Sequence, residues 1–372
     1  MKAMPTAEQR DFAASLRALL AAESPISLVR ALTEPGADRN TPTLWKALAG
    51  AGVLGLAIGE EYGGSGGSLQ DVGVFATEAG RALCPTTVHS SMRAALAIDQ
   101  LGTPEAKAAW LPRLVTGALR GCTALWNARD PAVVAPPLTA RPDADGWRLD
   151  GMADYVADAD IADVIVISAA ASDRALVFAV GAQTAGLTLA PLDLVGGYRA
   201  FAAHCEDVAV GADALLGADV SRDALRRVAN TAVALAALDL VGIGEAVLER
   251  TVDHTKLRHQ FGRPIACFQA AQHLIADMHI ALAAARLAAQ SAVFWLARGR
   301  TATRETAIAR MHASDAARLI TLDAHQLHGG IGYVTETDLH LWSERARLAS
   351  TFGGGADVAA AWLEETLEDN LG

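Results

Sequence analysis

Residues 258–269 read Arg258-His259-Gln260-Phe261-Gly262-Arg263-Pro264-Ile265-Ala266-Cys267-Phe268-Gln269. The stretch follows a long Ala/Val/Leu helix and precedes a second helix that starts near Phe268 and Gln269. Glycine tolerates positive φ and proline cannot continue a helical turn, so Gly262 and Pro264 suit the end of the first helix. The spacing predicts helix, tight corner, helix, with Arg258, Gln260, Phe261 and Gln269 displayed around the corner. A basic corner of this kind is either a solvated turn or a site facing an anion, and the residues alone leave both open.

Working outward, Ala232 to Ile243 is apolar nearly all round, the mark of a helix buried on several sides. Ala281–Ala297 repeats that texture, Thr303–His328 predicts another helix, and Ala356–Leu371 a final amphipathic one. Together they suit a bundle, and apolar surface on so many faces implies that neighbouring subunits cover part of it. In the N-terminal part, Phe12, Leu16, Leu19 and Leu20 share one helical face. Helices are also expected at Pro42–Ala49, Leu69–Leu83, Ser90–Leu101 and Pro104–Leu114. The Gly-rich loop at 63–67 is either a flexible connector or a feature near a substrate entrance. From Gly121 the texture changes. Trp147–Gly151 looks like the end of a hairpin. Asp163–Ser168 and Ala175–Val180 are apolar runs of strand length, and Leu187–Leu192 and Cys205–Val210 are weaker ones. The expected fold is mainly α with a central β-domain: an N-terminal helical domain (1–119), a small β-barrel or sandwich domain (120–219) and a C-terminal helical bundle (220–372).

A chain of 372 residues is ample for a large core. Its net charge of −11 argues against a nucleic-acid partner, because phosphate neutralisation needs a basic surface. Cys84, Cys122, Cys205 and Cys267 have neither metal-ligand nor redox spacing and read as reduced core or boundary residues; no metal site is expected. Met1–Pro5, followed by Glu8, Arg10 and Asp11, is no signal peptide. The apolar run Ala232–Ile243 is interrupted by Asp239 and followed by Glu245, so no membrane span is expected. A cytoplasmic protein is the expectation.

The pattern Arg258-x-Gln260-Phe261-Gly262-x-Pro264-Ile265-x-x-Phe268-Gln269 resembles the flavin-binding corner of the acyl-CoA dehydrogenase family. Three further stretches resemble the family in the same order. Gly59–Ser68 is similar to its N-terminal Gly-rich loop. Gly102-Thr103-Pro104-Glu105, with Trp110-Leu111-Pro112, is similar to its next helical hairpin. Gln326–Tyr333 is similar to its Gln-x-x-Gly-Gly-x-Gly segment. The resemblance covers nearly the whole chain. It implies an FAD enzyme that oxidises an acyl-CoA to its 2,3-enoyl-CoA, with a carboxylate taking the α-proton while the β-hydride passes to the flavin. General-base removal typically costs about 10²–10⁴-fold in rate.

In the family that base usually lies in a Tyr-Glu-Gly-Thr segment. The matching stretch is Thr351-Phe352-Gly353-Gly354-Gly355, and the base position falls on Gly353. The family's alternative position falls on Ala232, beside Thr231 and Val233. Asp239, the nearest acid downstream, is expected to be a paired buried or interfacial carboxylate, and Glu245 and Glu249 ordinary surface positions. The family's Thr-Glu-Pro segment is replaced by Ala124–Asp130. Where an aromatic, Ile and a hydroxyl residue flank the flavin, this chain has Tyr155-Val156-Ala157-Asp158.

The intact elements differ in kind. By the resemblance, Arg258, Gln260, Phe261, Gln269, Gln326, Gly329 and Gly330 match residues that reach across a dimer interface to the pyrophosphate and adenosine of FAD in the neighbouring subunit. A guanidinium suits a pyrophosphate by charge and forked donors, and glycine lets backbone approach a cofactor. Without the resemblance, a plain helix C-cap is the alternative reading of Gly329 and Gly330. The expectation is a subunit of a heteromeric, α2β2 acyl-CoA dehydrogenase similar to actinobacterial sterol side-chain enzymes. It would lack a catalytic base and complete the FAD site of a homologous catalytic subunit, with an electron-transferring flavoprotein as electron acceptor. The rivals are a self-sufficient homotetrameric dehydrogenase with an unrecognised base, and a flavin-free CoA-ester binding or scaffold protein.

Overall fold

A computed structural model describes residues 6–34 and 36–368; Met1–Pro5 and the expected end of the last helix, 369–371, lie outside them. The chain opens with helices α1 (Ala7–Glu23), α2 (Ile26–Thr33), α3 (Pro42–Gly50), α4 (Leu69–Arg81), α5 (Thr86–Leu101) and α6 (Pro104–Val115). Local chemistry sets several of these limits. Thr6 caps α1 in a reciprocal box with Gln9, and Thr103 caps α6 while Pro104 takes its first position. The Gly-rich loop is no flexible connector. Its backbone N–H groups at Ser65, Gly66 and Gly67 donate to the carbonyls of Gly55, Ile58 and Leu56, pinning it to the preceding turn.

Next come β1 (Gly121–Ala124), β2 (Leu138–Asp143), β3 (Gly146–Ala157), β4 (Val164–Ala171), β5 (Arg174–Gly181), β6 (Leu187–Leu192), β7 (Ala200–Gly211) and β8 (Leu215–Val220). They form one sheet in the order β6-β7-β3-β2-β4-β5-β8, with β1 paired to β4. The pairings are antiparallel except that β1 and β2 run parallel to β4. Trp147–Gly151 lies within β3 rather than at its end; the hairpin turn is Ala144-Asp145, just ahead of it. Strand β4 is apolar on both faces because both are covered. Val164 and Val166 join the core of the helices, and Ile165 and Ile167 that of the sheet.

The bundle comprises α7 (Arg222–Leu257), α8 (Gln269–Leu296), α9 (Thr303–His328), α10 (Leu339–Ala349) and α11 (Ala356–Glu368). Helix α7 is the axle of the molecule, packing against α4, α8 and α9. Its contact with α4 is backbone on backbone: a Cβ added at Gly242 would stand 1.9 Å from the Thr77 carbonyl oxygen, and one at Gly80 2.1 Å from that of Asp239. By length and apolar composition both α7 and α8 could cross a membrane, which corrects the expectation drawn from the interrupting acids. Helix α7 instead runs through the interior, with 83% of its apolar window buried, whereas α8 has only 33% buried. Cys84, Cys122 and Cys205 are buried and Cys267 is exposed, all as free thiols.

Candidate functional site

Helices α4, α5, α7 and α10 meet the sheet around a cleft. Its walls include Phe75, Met92, Leu235, Leu348 and Phe352, and its polar groups are Thr86, His89, Arg93, Tyr155, Tyr198, Arg199, Asp239 and Arg345. A second hollow adjoins it. There the three stretches that resemble flavin-facing segments come together: Ala124-Leu125-Trp126 with Ala128, Tyr155 with Ala157, and Phe352-Gly353. Ala232, at the alternative base position, also lines the cleft. No residue of the Gly-rich loop is among those lining either space.

Gly353 has φ +69°, and a Cβ there would meet Val233 Cγ2 at 2.8 Å. A side chain at this position is therefore opposed by backbone strain and by packing. The loop carrying it is tied down by Arg310, 1% exposed, which donates to the carbonyls of Ala349 (2.9 Å) and Gly354 (2.9 Å) and to that of Phe352. Burial pushes the Arg310 pKa down to about 10.

Two carboxylates line these spaces, and each is held by an arginine. Asp239 accepts from Arg345 Nε (3.1 Å) and Nη2 (3.2 Å), with both residues 3% exposed. Asp154 accepts from Arg129 Nε at 2.8 Å. His89 Nε2 stands 3.7 Å from Asp239 Oδ1. Burial drives the His89 pKa down to about 4 despite that neighbour, so the ring is neutral near pH 7. Burial lowers and Asp239 raises the Arg345 pKa, with a net rise. Tyr198, beside Arg345, is raised mainly by burial. Just outside, Asp158 follows β3 and accepts from Thr86 (2.9 Å), Ser90 (2.7 Å) and Arg39.

No local sequence pattern marks Arg93, which the fold brings into the site. Its guanidinium lies 4.5 Å from the centre of the Phe352 ring, whose edge contact with Trp126 spans 6.2 Å between centroids. Arg93 lines the cleft, the second hollow and a third space beside Trp126, so the Arg93–Phe352–Trp126 stack divides the interior between sheet and bundle. Nη2 donates to Ser90 Oγ at 3.2 Å, and Arg93 forms no salt bridge among the described residues. Burial lowers its pKa.

The corner predicted from residues 258–269 lies elsewhere, at an exposed end of the bundle. Helix α7 ends at Leu257, before Gly262, so neither Gly262 nor Pro264 ends it as expected. These residues belong to a small hairpin, β9 (His259–Gln260) with β10 (Arg263–Pro264), turning through Phe261 (φ +52°) and Gly262 (φ +80°). Positive φ at both central residues is what a two-residue hairpin turn asks for. Arg258 is exposed and Phe261 is 92% exposed. Gln260 folds its amide onto the His259 carbonyl at 2.9 Å, and Gln269 opens α8. His254 stacks on His328 at 4.2 Å, which brings the ends of α7 and α9 together. Exposed Gln326, Gly329 and Gly330 therefore share this end with the hairpin. Leu257, Ile280, Leu322 and Tyr333 remain exposed on the bundle as well. Glu245 is not an ordinary surface acid: it bridges Arg81 (3.2 Å) and Arg286 (2.9 Å), and Arg81 also holds Glu249.

Residues 6–118 match the acyl-CoA dehydrogenase N-terminal domain, and residues 222–367 match the acyl-CoA dehydrogenase C-terminal domain. The chain is 32% identical over 306 residues to the acyl-CoA dehydrogenase IpdE2 of Mycolicibacterium smegmatis, covering 82% of this chain and 81% of the relative. Among solved structures, a variant of the Tcur3481-Tcur3483 steroid ACAD superposes with a TM-score of 0.88 at 29% identity, over 98% of both chains. A glutaryl-CoA dehydrogenase from Mycobacterium smegmatis in complex with FADH2 shares the fold, with a TM-score of 0.86 at 22% identity over 98% of this chain and 95% of the other. On these matches the chain belongs to the acyl-CoA dehydrogenase family.

Proposed function

We propose that this chain is the non-catalytic subunit of an FAD-dependent, heteromeric acyl-CoA dehydrogenase, built as α2β2, and that it lends its exposed corner to the flavin held by a homologous catalytic subunit. The observation that carries the proposal is the state of the carboxylates in the cleft and the adjoining hollow: Asp239 is clamped by Arg345, Asp154 is held by Arg129, and Gly353 has no side chain. A general base needs a free lone pair within reach of its proton. The same cleft does not fit a flavin ring, because the Arg93–Phe352–Trp126 stack crosses the space between sheet and bundle.

At the exposed end, Arg258 would supply charge and forked donors to a pyrophosphate. Gln260, Phe261, Gln269, Gln326, Gly329 and Gly330 would complete a surface for the rest of the cofactor. Uncovered apolar residues on α8 and α9 support contact with another subunit. The pairing of two polypeptides in the Tcur3481-Tcur3483 steroid ACAD supports a two-polypeptide assembly and a bulky acyl-CoA thioester as substrate. On the same footing we place the assembly in the cytoplasm, with an electron-transferring flavoprotein as acceptor, and divide the chain into domains 1–119, 120–219 and 220–372.

The test is purification of the chain alone and after co-expression with a homologous dehydrogenase. Absorbance in the flavin bands and acyl-CoA turnover are read on both samples. The expected result is neither flavin nor turnover in the isolated chain, and one FAD per heterodimer with turnover in the complex. Turnover by the isolated chain with any acyl-CoA overturns the proposal.

A further inference from the structure

We propose that the cleft of this chain binds a small organic carboxylate, with Arg93 as its counter-ion and Arg345 as a second donor. The charges around the cleft do not balance. Arg39 pairs with Asp158 and Asp160, Arg199 with Asp160, and Arg345 with Asp239. That leaves four arginines, counting Arg93, against three carboxylates. Arg93 has no direct ion pair among the described residues: it donates to the Ser90 hydroxyl, which is itself bonded to Asp158, and lies over the face of Phe352. A largely enclosed cation with no direct ion pair is costly, and an anion placed beside it offsets part of that cost.

A second group points the same way. Arg345 spends Nε and Nη2 on Asp239, while its Nη1 is buried with no hydrogen-bond partner. Both guanidinium groups line the one cavity.

The rest of that cavity decides the kind of anion. Val72, Phe75, Met92, Leu235 and Leu348 make apolar walls, which suit the carbon body of an acid and would be left bare by an inorganic anion. The planar fork of a guanidinium matches a carboxylate. A thioester carbonyl carries no charge and would leave Arg93 as unpaired as before. The proposal rests on the reading that no flavin ring fills this cleft.

The experiment uses the purified full chain, titrated with sodium hexanoate and with hexanamide, its neutral counterpart of the same size. Binding is followed by thermal shift and by tryptophan fluorescence, since Trp126 touches Phe352. Hexanoate should bind saturably and about ten- to a hundredfold more tightly than hexanamide. Arg93→Met should erase that preference and leave hexanamide unchanged, while Arg93→Lys should keep part of it. Arg93→Gln replaces the Met variant if the latter does not fold. Equal binding of acid and amide, or a preference that survives Arg93→Met or Arg93→Gln, overturns the proposal. Flavin absorbance of the same sample separates the two readings. Bound flavin in the isolated chain removes the non-catalytic assignment and this proposal together; a flavin-free chain with no preference for the acid removes this proposal alone.

Discussion

The interior cleft and the exposed corner are built on opposite principles. In and beside the cleft the acceptors are answered from within the chain: Asp239 by Arg345, Asp158 by Thr86, Ser90 and Arg39, and the loop carbonyls near Gly353 by Arg310; what stays open there are donors, on Arg93 and Arg345. At the corner the side chains find few internal partners. Phe261 is almost fully exposed, and Gln260 turns back only on its neighbour's carbonyl. Sites that do chemistry keep reactive groups available, and sites that recognise a partner keep surface available. Here the carboxylates that could act as bases are taken in the cleft, and the available surface lies at the corner.

The largest effect expected concerns Asp239. Asp239→Asn leaves the Arg345 guanidinium buried beside a neutral amide, and breaking a buried pair in this way costs about 3–5 kcal/mol. Denaturant unfolding of the isolated chain should show that loss. Turnover by the assembled complex, at a temperature where the variant stays folded, should be unchanged; a folded complex with abolished turnover would make Asp239 a catalytic base and end the contrast between the two regions.

Acid should also destabilise the cleft. The His89 pKa is about 4 in the native chain against 6.5 for an ordinary histidine. Between those values the unfolded chain binds a proton that the native chain does not, so stability falls as pH drops from 6.5 toward 4, by up to about 3 kcal/mol. Above pH 6.5 this contribution is constant. His89→Gln should flatten that part of the stability–pH curve, and an unchanged curve would show that the ring is not held neutral.

The next effect sharpens the other side of the comparison. Arg258→Ala removes charge-assisted hydrogen bonds worth about 1.5–3 kcal/mol each. It should weaken FAD retention by the complex about tenfold to a few hundredfold. If Arg258 only caps its own helix, the change costs about 0.3–1 kcal/mol of stability and leaves flavin content alone. The FAD-to-protein ratio at sub-saturating FAD, with thermal stability followed in parallel, decides between them.

The smallest expected effect is Phe261→Ala. A ring this exposed should change the stability of the isolated chain by no more than about 0.5 kcal/mol. A larger loss would mean that its edge contact with Phe268 holds the hairpin together.

Much of this contrast is legible in the sequence, for identifiable reasons. Thr303–His328 can be read to the residue because its alanine and leucine spacing runs unbroken from end to end. The corner is legible as a corner because Gly262 and Pro264 punctuate it, although they shape a hairpin and not a helix end. Helices α2 and α10 escape such a reading: α2 is eight residues long, and α10 carries three charged residues, so neither has a long apolar stripe. Strands β1, β2 and β8 escape it because they are short or carry polar residues, and pairing with distant strands decides them. Gly353 and Ala157 stand out as departures, but the Asp239–Arg345 pair joins residues 106 positions apart, which no local pattern reports. Arg93 is hidden for the same reason, since its environment comes from Phe352 on a remote loop.

The contact of α4 with α7 has a mechanical consequence. Where Gly80 and Gly242 let two backbones touch, no side chain remains between them to yield, and Asp239 contributes the very carbonyl that Gly80 rests upon. That wall of the cleft is a fixed jamb. Any widening to admit a guest must come from the opposite leaf, where Tyr198 and Arg199 hang on the segment leading into β7 and Trp126 follows β1. A bulkier residue at Gly80 would thus do more than lower stability: by prising the jamb, it would move the Asp239 backbone and shift the Arg345 clamp.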